Sequence, residues 1–224
     1  MRVLIGVDGY RRGWVAAIHI DGALHWRTGP VGAIDAVIDG ASIAAIDIPI
    51  GLTDHGWREC DAAAKARLGR AGSRVFMTPP RAVVELGLAA PNDQVQEVSR
   101  RLTGQGVSRQ ALGLAARILD VDRLMPDARI IEVHPELSFL QMTGGVLDSK
   151  KSTTGVAQRI EALSAWEPDV TAALARCPSD VPMDDALDAL AALWSAHRWA
   201  TGVATVLPGT AALDPRGVPM RIVT

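Results

Sequence analysis

The chain has only two cysteines, Cys60 and Cys177, among 224 residues. They stand far apart and no Cys-x-x-Cys occurs, which argues against a disulfide framework and against a thiolate zinc site. Net charge is also scarce. Lys plus Arg is 23 and Asp plus Glu is 25, a formal charge of −2. That excludes a globally basic, histone-like DNA binder and leaves room for a local basic groove. Long apolar runs are missing too. The alanine-rich stretches are broken by Asp, Arg or Pro well before the roughly 18 residues that a transmembrane helix needs. The first apolar run is too short for a signal peptide and closes on Asp8. We therefore expect a cytoplasmic protein with no membrane partner. No P-loop lysine in its glycine frame, no Gly-x-Ser-x-Gly elbow and no His-Glu-x-x-His is found. No internal repeat or low-complexity tract is present.

What is present suits a packed α/β domain. Hydrophobic residues make up 48% and charged residues 21%, enough for a sizeable core. Arg2 to Asp8 reads as a strand, Gly13 to Ile20 as a second, and Ala23 to Arg27 as a third after the turn signal Asp21-Gly22. A short helix follows, roughly 31–38. Ser42 to Ile48 is continuously apolar, as in a strand buried on both faces. Two hairpins, a helical crossover and a buried strand predict a mixed sheet, with three antiparallel strands and a fourth parallel to the first. Arg129 to Val133 supplies a fifth strand. Between the fourth and fifth lies a helical insertion, about 51–123, within one domain spanning 1–224. Thr143 to Gly155 reads as a mobile, lysine-bearing loop. The best-defined helix runs from Asp184 to about Ala200.

The acids fall at telling places. Asp8 closes the first strand, Asp47 interrupts the apolar fourth strand near its end, and Glu132 lies near the end of the fifth. A carboxylate at the end of a buried strand is costly unless a cation compensates it. Parallel first and fourth strands would make Asp8 and Asp47 neighbours, and a divalent ion removes their repulsion. Asp185 and Asp188 are three apart and share a helix face. That face continues through Ala192 and Ser195, small enough to let the helix approach the sheet. Asp184 reads as an ordinary helix cap. The expected object is a cluster of four or five oxygen ligands, suited to Mg²⁺ or Mn²⁺ rather than zinc.

Val181 to His197 resembles the last catalytic helix of the Holliday-junction resolvase RuvC, in which two aspartates three apart precede an Ala-Leu-rich segment. Asp47 stands where that resolvase has a glutamate. Over its whole length the chain resembles an uncharacterised family of predicted RNase H-like nucleases. The matching stretches are Gly6-Val7-Asp8-Gly9 with Gly13-Trp14, Ile46 to Leu52, Arg58-Glu59-Cys60-Asp61, Glu132 to Phe139, Lys150-Lys151, and Asp184 to Ala189. The resemblance implies an RNase H-like fold and two-metal hydrolysis of phosphodiesters in nucleic acid. Asp8, Asp47, Asp185 and Asp188 would hold the two ions. Glu132 would be a ligand, a more distant base, or a partner of Arg58. His134 would assist proton transfer or serve the fold, and His197 lies too far along the helix to join the acids.

Six basic or polar residues are expected on the substrate. Arg11 and Arg12 sit in the turn beside Asp8, Arg58 in the insertion, Lys150 and Lys151 in the loop, and His134 before Pro135. Two rival readings stand beside the nuclease. One is a nucleotide- or nucleic-acid-binding regulatory protein that does not cleave. The other is a phosphotransferase of the actin and sugar-kinase type, which normally needs a second such domain. Apolar helix faces also suggest a homodimer.

Overall fold

The computed structural model describes residues 2–224. It resolves into two compact units. The first takes the chain up to Ile48, then Ala128–Thr205 and the last two residues, Val223–Thr224. The second takes Pro49–Asp127 and Val206–Ile222. The segment read as an insertion lies inside the second unit.

The first unit opens with β1 (Leu4–Tyr10), β2 (Gly13–Ile20) and β3 (Ala23–Gly29), then α1 (Ile34–Val37) and β4 (Ile43–Ile46). The hairpin between β2 and β3 turns on Asp21 at φ 51° and Gly22 at φ 78°. Two consecutive positive φ values match the right-handed twist of the flanking strands. The second unit contributes α2 (Glu59–Leu68), α3 (Arg81–Leu86), α4 (Asn92–Thr103), α5 (Arg109–Gly113) and α6 (Ala115–Asp122). The chain then returns to the first unit with β5 (Ile130–Glu132), α7 (Pro135–Thr143), α8 (Thr153–Trp166), α9 (Val170–Ala175) and α10 (Met183–Thr201). The hairpin β6 (Val206–Leu213) and β7 (Pro219–Val223) follows.

The main sheet has the order β3-β2-β1-β4-β5. β1, β2 and β3 are antiparallel in sequence, and β4 and β5 run parallel to β1. This is the α/β mixed sheet expected from the hairpin and crossover signals, with helices packed on it. Ile5, Trp14, Ile34, Ile46, Leu137, Phe139 and Leu187 are fully enclosed and form its core. β1 continues two residues beyond Asp8, because Asp8 still pairs with Val15 and Tyr10 with Gly13.

α10 lies against β1 more closely than side chains would permit. A Cβ on Gly6 would stand 2.0 Å from the Leu193 amide nitrogen and 2.3 Å from the Ala189 carbonyl oxygen. The close face of α10 is therefore that of Ala189 and Leu193. The face through Ala192 and Ser195, expected to make this contact, lies a step further round. Ser195 instead shares a hydrogen bond of 2.8 Å with Ser138 of α7.

The second unit has its own small core, Val83, Val95, Val107, Ala111 and Leu112, with Phe76 packed on it. α2 packs against β6. Arg58 is buried there, its guanidinium bonded to Asp61 at 2.5 Å and to the carbonyls of Ile50 and Gly51. Asp122 receives both Arg81 at 2.7 Å and Arg216 at 2.6 Å. Two further elements involve proline. α3 follows Pro79-Pro80 directly, since a proline is tolerated at a helix entrance. β6 and β7 form a hairpin in a C-terminal segment where the sequence shows Gly and Pro around an apolar pair. Among the described residues, no helix is long and apolar enough to cross a membrane.

The Gly6 contact gives a test of the packing. Gly6→Ala should destabilise the fold by about 1–3 kcal/mol, the usual cost of overpacking. The upper end is expected because the atoms met are backbone. Urea unfolding beside a Gly145→Ala control would measure it, as nothing lies within 4 Å of a Cβ at Gly145 and its φ is not positive.

Candidate metal centre

Parallel pairing aligns Val7 with Ile46, so Asp8 and Asp47 are the next residues on adjacent strands. The Asp47 amide still donates to the Val7 carbonyl at 2.9 Å, which keeps that register. Gly6 and Asp8 are two apart and share one face of β1. Because Gly6 meets α10, Asp8 looks toward the same helix. Asp188 sits one position before Ala189, at the edge of that contact. The close approach thus brings the helix acids to the strand-end acids. Asp8 and Asp188 are buried, and Asp47 and Asp185 are partly so.

Electrostatics records the convergence. Burial holds Asp8 well above the usual carboxylate range, and the charges of Asp47, Asp188 and Asp185 push it further, against Lys150. Burial likewise raises Asp47, reinforced chiefly by Asp188 and then by Glu132 and Glu136. Asp188 is raised by burial even though Lys150 opposes it with both charge and hydrogen bond. Asp185 is raised from 3.8 to about 6, first by burial and then by Asp184.

Lys150 is the cation in this cluster. Its ammonium donates to Asp188 Oδ2 at 2.5 Å and lies 3.9 Å from Asp184. Burial alone would lower its pKa, but Asp188, Asp8 and Asp47 outweigh burial and hold it charged. Lys151 takes Asp184 at 2.5 Å. The lysine segment is tied down rather than free. Ser152 caps α8 through the Gly155 amide at 3.0 Å and donates to the Ser149 carbonyl at 2.8 Å. A Cβ on Gly155 would strike the Ser149 carbonyl at 2.1 Å, so a glycine is needed for the segment to fold back. Fully buried Arg159 donates to the Asp148 carbonyl at 2.9 Å and to Glu136 at 2.6 Å. Its guanidinium also lies 5.1 Å from the centre of the Phe139 ring.

The remaining candidates separate. Glu132 pairs in register with Ile46, not with Asp47. Strand alternation therefore assigns its side chain to the face opposite Asp8 and Asp47. It is buried and its charge reaches Asp47, but it is not a fifth member of the cluster on the helix side. Arg58 is enclosed in the second unit and committed to Asp61, so the expectation of a phosphate contact there is corrected. His134 is the residue before Pro135 at the entrance of α7, and its carbonyl accepts the amides of Leu137 and Ser138. Arg11 and Arg12 are exposed in the β1–β2 turn, and Arg12 pairs with Asp180 at 3.0 Å. Asp184 lies in the first turn of α10, but the cap position is Pro182 and Asp184 serves the lysines. Glu136 and Arg159 were not anticipated. A lone arginine in α8 and an acid following Pro135 carry no local mark of a shared bond.

Do these residues suit a divalent ion? The charges of Asp47, Asp185 and Asp188 all reach Asp8, and Lys150 bonds to one of these acids, Asp188. Asp188 Oδ1 is buried and has no hydrogen-bond partner. Asp8 Oδ1 is held by the Gly9 amide at 2.7 Å. An all-oxygen donor set with an unmet buried lone pair fits Mg²⁺ or Mn²⁺. Among the described residues, no three of these acids bring ligand oxygens all within 4.8 Å of one another. The lysine-paired arrangement is thus wider than a shared ion would draw it.

A family model described as protein of unknown function (DUF429) matches residues 6–212. The chain belongs to that family. No curated protein and no solved structure matches it.

The pKa directions fix a pH dependence. Asp8, Asp47, Asp185 and Asp188 bind protons more tightly folded than unfolded. Their contribution to stability is therefore greatest below the unfolded carboxylate value and falls as pH rises. For Asp185 the fall runs from 3.8 to about 6. Asp122 and Asp184, held low, act in the opposite sense and only below that range. In chelator, the Tm should decline between about pH 4 and 6, and Asp185→Asn should flatten the decline. A Tm that instead rises across this window in wild type would contradict the assignment.

Proposed function

We propose that this protein is a metal-dependent phosphodiesterase of RNase H-like fold acting on nucleic acid. The observation that carries the reading is buried Asp188, with an unmet carboxylate oxygen, set beside the ends of parallel strands β1 and β4 at Asp8 and Asp47. The strand order β3-β2-β1-β4-β5, with β4 and β5 parallel to β1, supports the fold assignment.

Asp8, Asp47, Asp185 and Asp188 would hold two divalent ions, Mg²⁺ or Mn²⁺. Bound there, the ions would supply an activated water and stabilise the leaving oxygen. The protein's own part is to enclose the carboxylates and exclude bulk water. It also orients Asp8 through the Gly9 amide. Exposed Arg11 and Arg12 offer cations to a phosphate backbone at the β1–β2 turn, and their contribution would be positional rather than sequence-reading.

The Lys150–Asp188 pair favours a second reading. A protein that retained this pair with its ligand bound would recognise a nucleotide or nucleic acid without cleaving it.

One experiment separates them. Purified protein is assayed with Mg²⁺ and Mn²⁺ on single strands, duplexes, RNA–DNA hybrids and branched junctions, beside Asp188→Asn. Cleavage by wild type is expected. Asp188→Asn should lose more than the roughly 10–100-fold that removing a ligand's supporting hydrogen bond costs. Binding without cleavage by folded wild type would select the second reading. Equal cleavage by both proteins would remove Asp188 from the site.

A further inference from the structure

The chain contains three lysines, Lys65, Lys150 and Lys151, against twenty arginines. Arginine makes the buried and part-buried ion pairs away from the acid cluster: Arg58 with Asp61, Arg81 and Arg216 with Asp122, Arg159 with Glu136. Lysine is used at the acid cluster. The two cations differ in what they can do there. Arginine's planar fork locks a carboxylate bidentately, whereas lysine is a compact, strongly hydrated charge on a flexible stem. A carboxylate that must later release its partner is better served by lysine.

Two further observations point the same way. Lys150 engages only Oδ2 of Asp188 and leaves Oδ1 buried and unmet. The two residues before Lys150 are held by Ser152 and Arg159, which donate to the Ser149 and Asp148 carbonyls, while its own side chain remains about one-third exposed. The chain leading to Lys150 is anchored and the charged end has a way out.

We infer that Lys150 is a resident counter-ion, and that a divalent cation binds these acids by exchange with its ammonium. The inference rests on the metal-site reading above. Loading the site frees the ammonium to meet an anion, so metal must bind before Lys150 can touch a phosphate. Lys151, paired with Asp184 at the start of α10, sits outside this exchange.

The three lysines make the test direct. The wild-type chain is acetylated with an amine-reactive ester at limiting reagent, with and without Mn²⁺, and each site is quantified by mass spectrometry. Lys65 is the internal reference, since its ammonium donates to the Val75 carbonyl within the second unit. Calorimetry of Mn²⁺ binding is run on wild type, Lys150→Met and Lys150→Arg. Mn²⁺ should raise labelling of Lys150 several-fold relative to Lys65. Lys150→Met should bind Mn²⁺ roughly five- to tenfold more tightly, about 1–1.4 kcal/mol, the scale of a partly exposed ion pair. Lys150→Arg should bind no more tightly than wild type.

Unchanged Lys150 labelling while Mn²⁺ binds would overturn the exchange and leave the metal site standing. That holds even if Lys150→Met binds more tightly, since removing a charge would then account for it. Absence of Mn²⁺ binding in both wild type and Lys150→Met would overturn the exchange and the metal site together. If Lys150→Met does not fold, labelling of the wild type decides alone.

Discussion

Burying carboxylates is the constraint on which this structure turns. Asp8 and Asp188 are out of water, Asp47 and Asp185 are partly so, and the ammonium of Lys150 is bonded to Asp188. Desolvation and mutual repulsion both disfavour the charged forms. A fold that needed only stability would replace such groups with apolar ones of similar size. The surrounding elements instead hold the acids together. α10 presses on β1, β4 is locked in register with β1, and Arg159 ties α7 to the segment before α8.

The contrast between the two kinds of cation runs through the molecule. Arg58 and Arg159 are fully buried and each satisfies backbone carbonyls as well as a carboxylate. They act as permanent fixtures, with removal costs typical of broken buried pairs. Lys150 and Lys151 each donate one hydrogen bond to an acid and none to a backbone carbonyl among the bonds described. The distinction between structural and exchangeable charge is written in residue type and burial together.

Much of the sheet was legible in the sequence. β2 reads from the apolar run Gly13–Ile20, the turn from Asp21-Gly22, and the parallel placement of β4 from a buried run reached through a helix. These are local signals, with residues close in the chain deciding the geometry. The acids Asp8, Asp47 and Asp188 were legible for a related reason, since a carboxylate in an apolar run is conspicuous on its own. What failed to show depends on partners far apart. Lys150 and Asp188 are 38 residues apart, and nothing near either announces the other. Glu132 looked like a companion of Asp47, but β5 has three residues, and inter-strand register moves a side chain to the other face with a slip of one. α3 and the β6–β7 hairpin were hidden because proline marks both a loop and the entrance of a helix, and because Pro208 and Gly209 sit within a strand.

The Gly6 contact has one more implication. Where α10 meets β1, no side-chain layer lies between them, and peptide atoms face peptide atoms. The separation of Asp8 from Asp188 is then a backbone dimension. In most sites, evolution can retune such a spacing by trading a leucine for a valine in the supporting layer. That route is closed here. The remaining adjustable length is the acidic side chain itself, one methylene at a time. Descendants of this chain could therefore change the reach of the cluster only in discrete steps, by exchanging aspartate and glutamate.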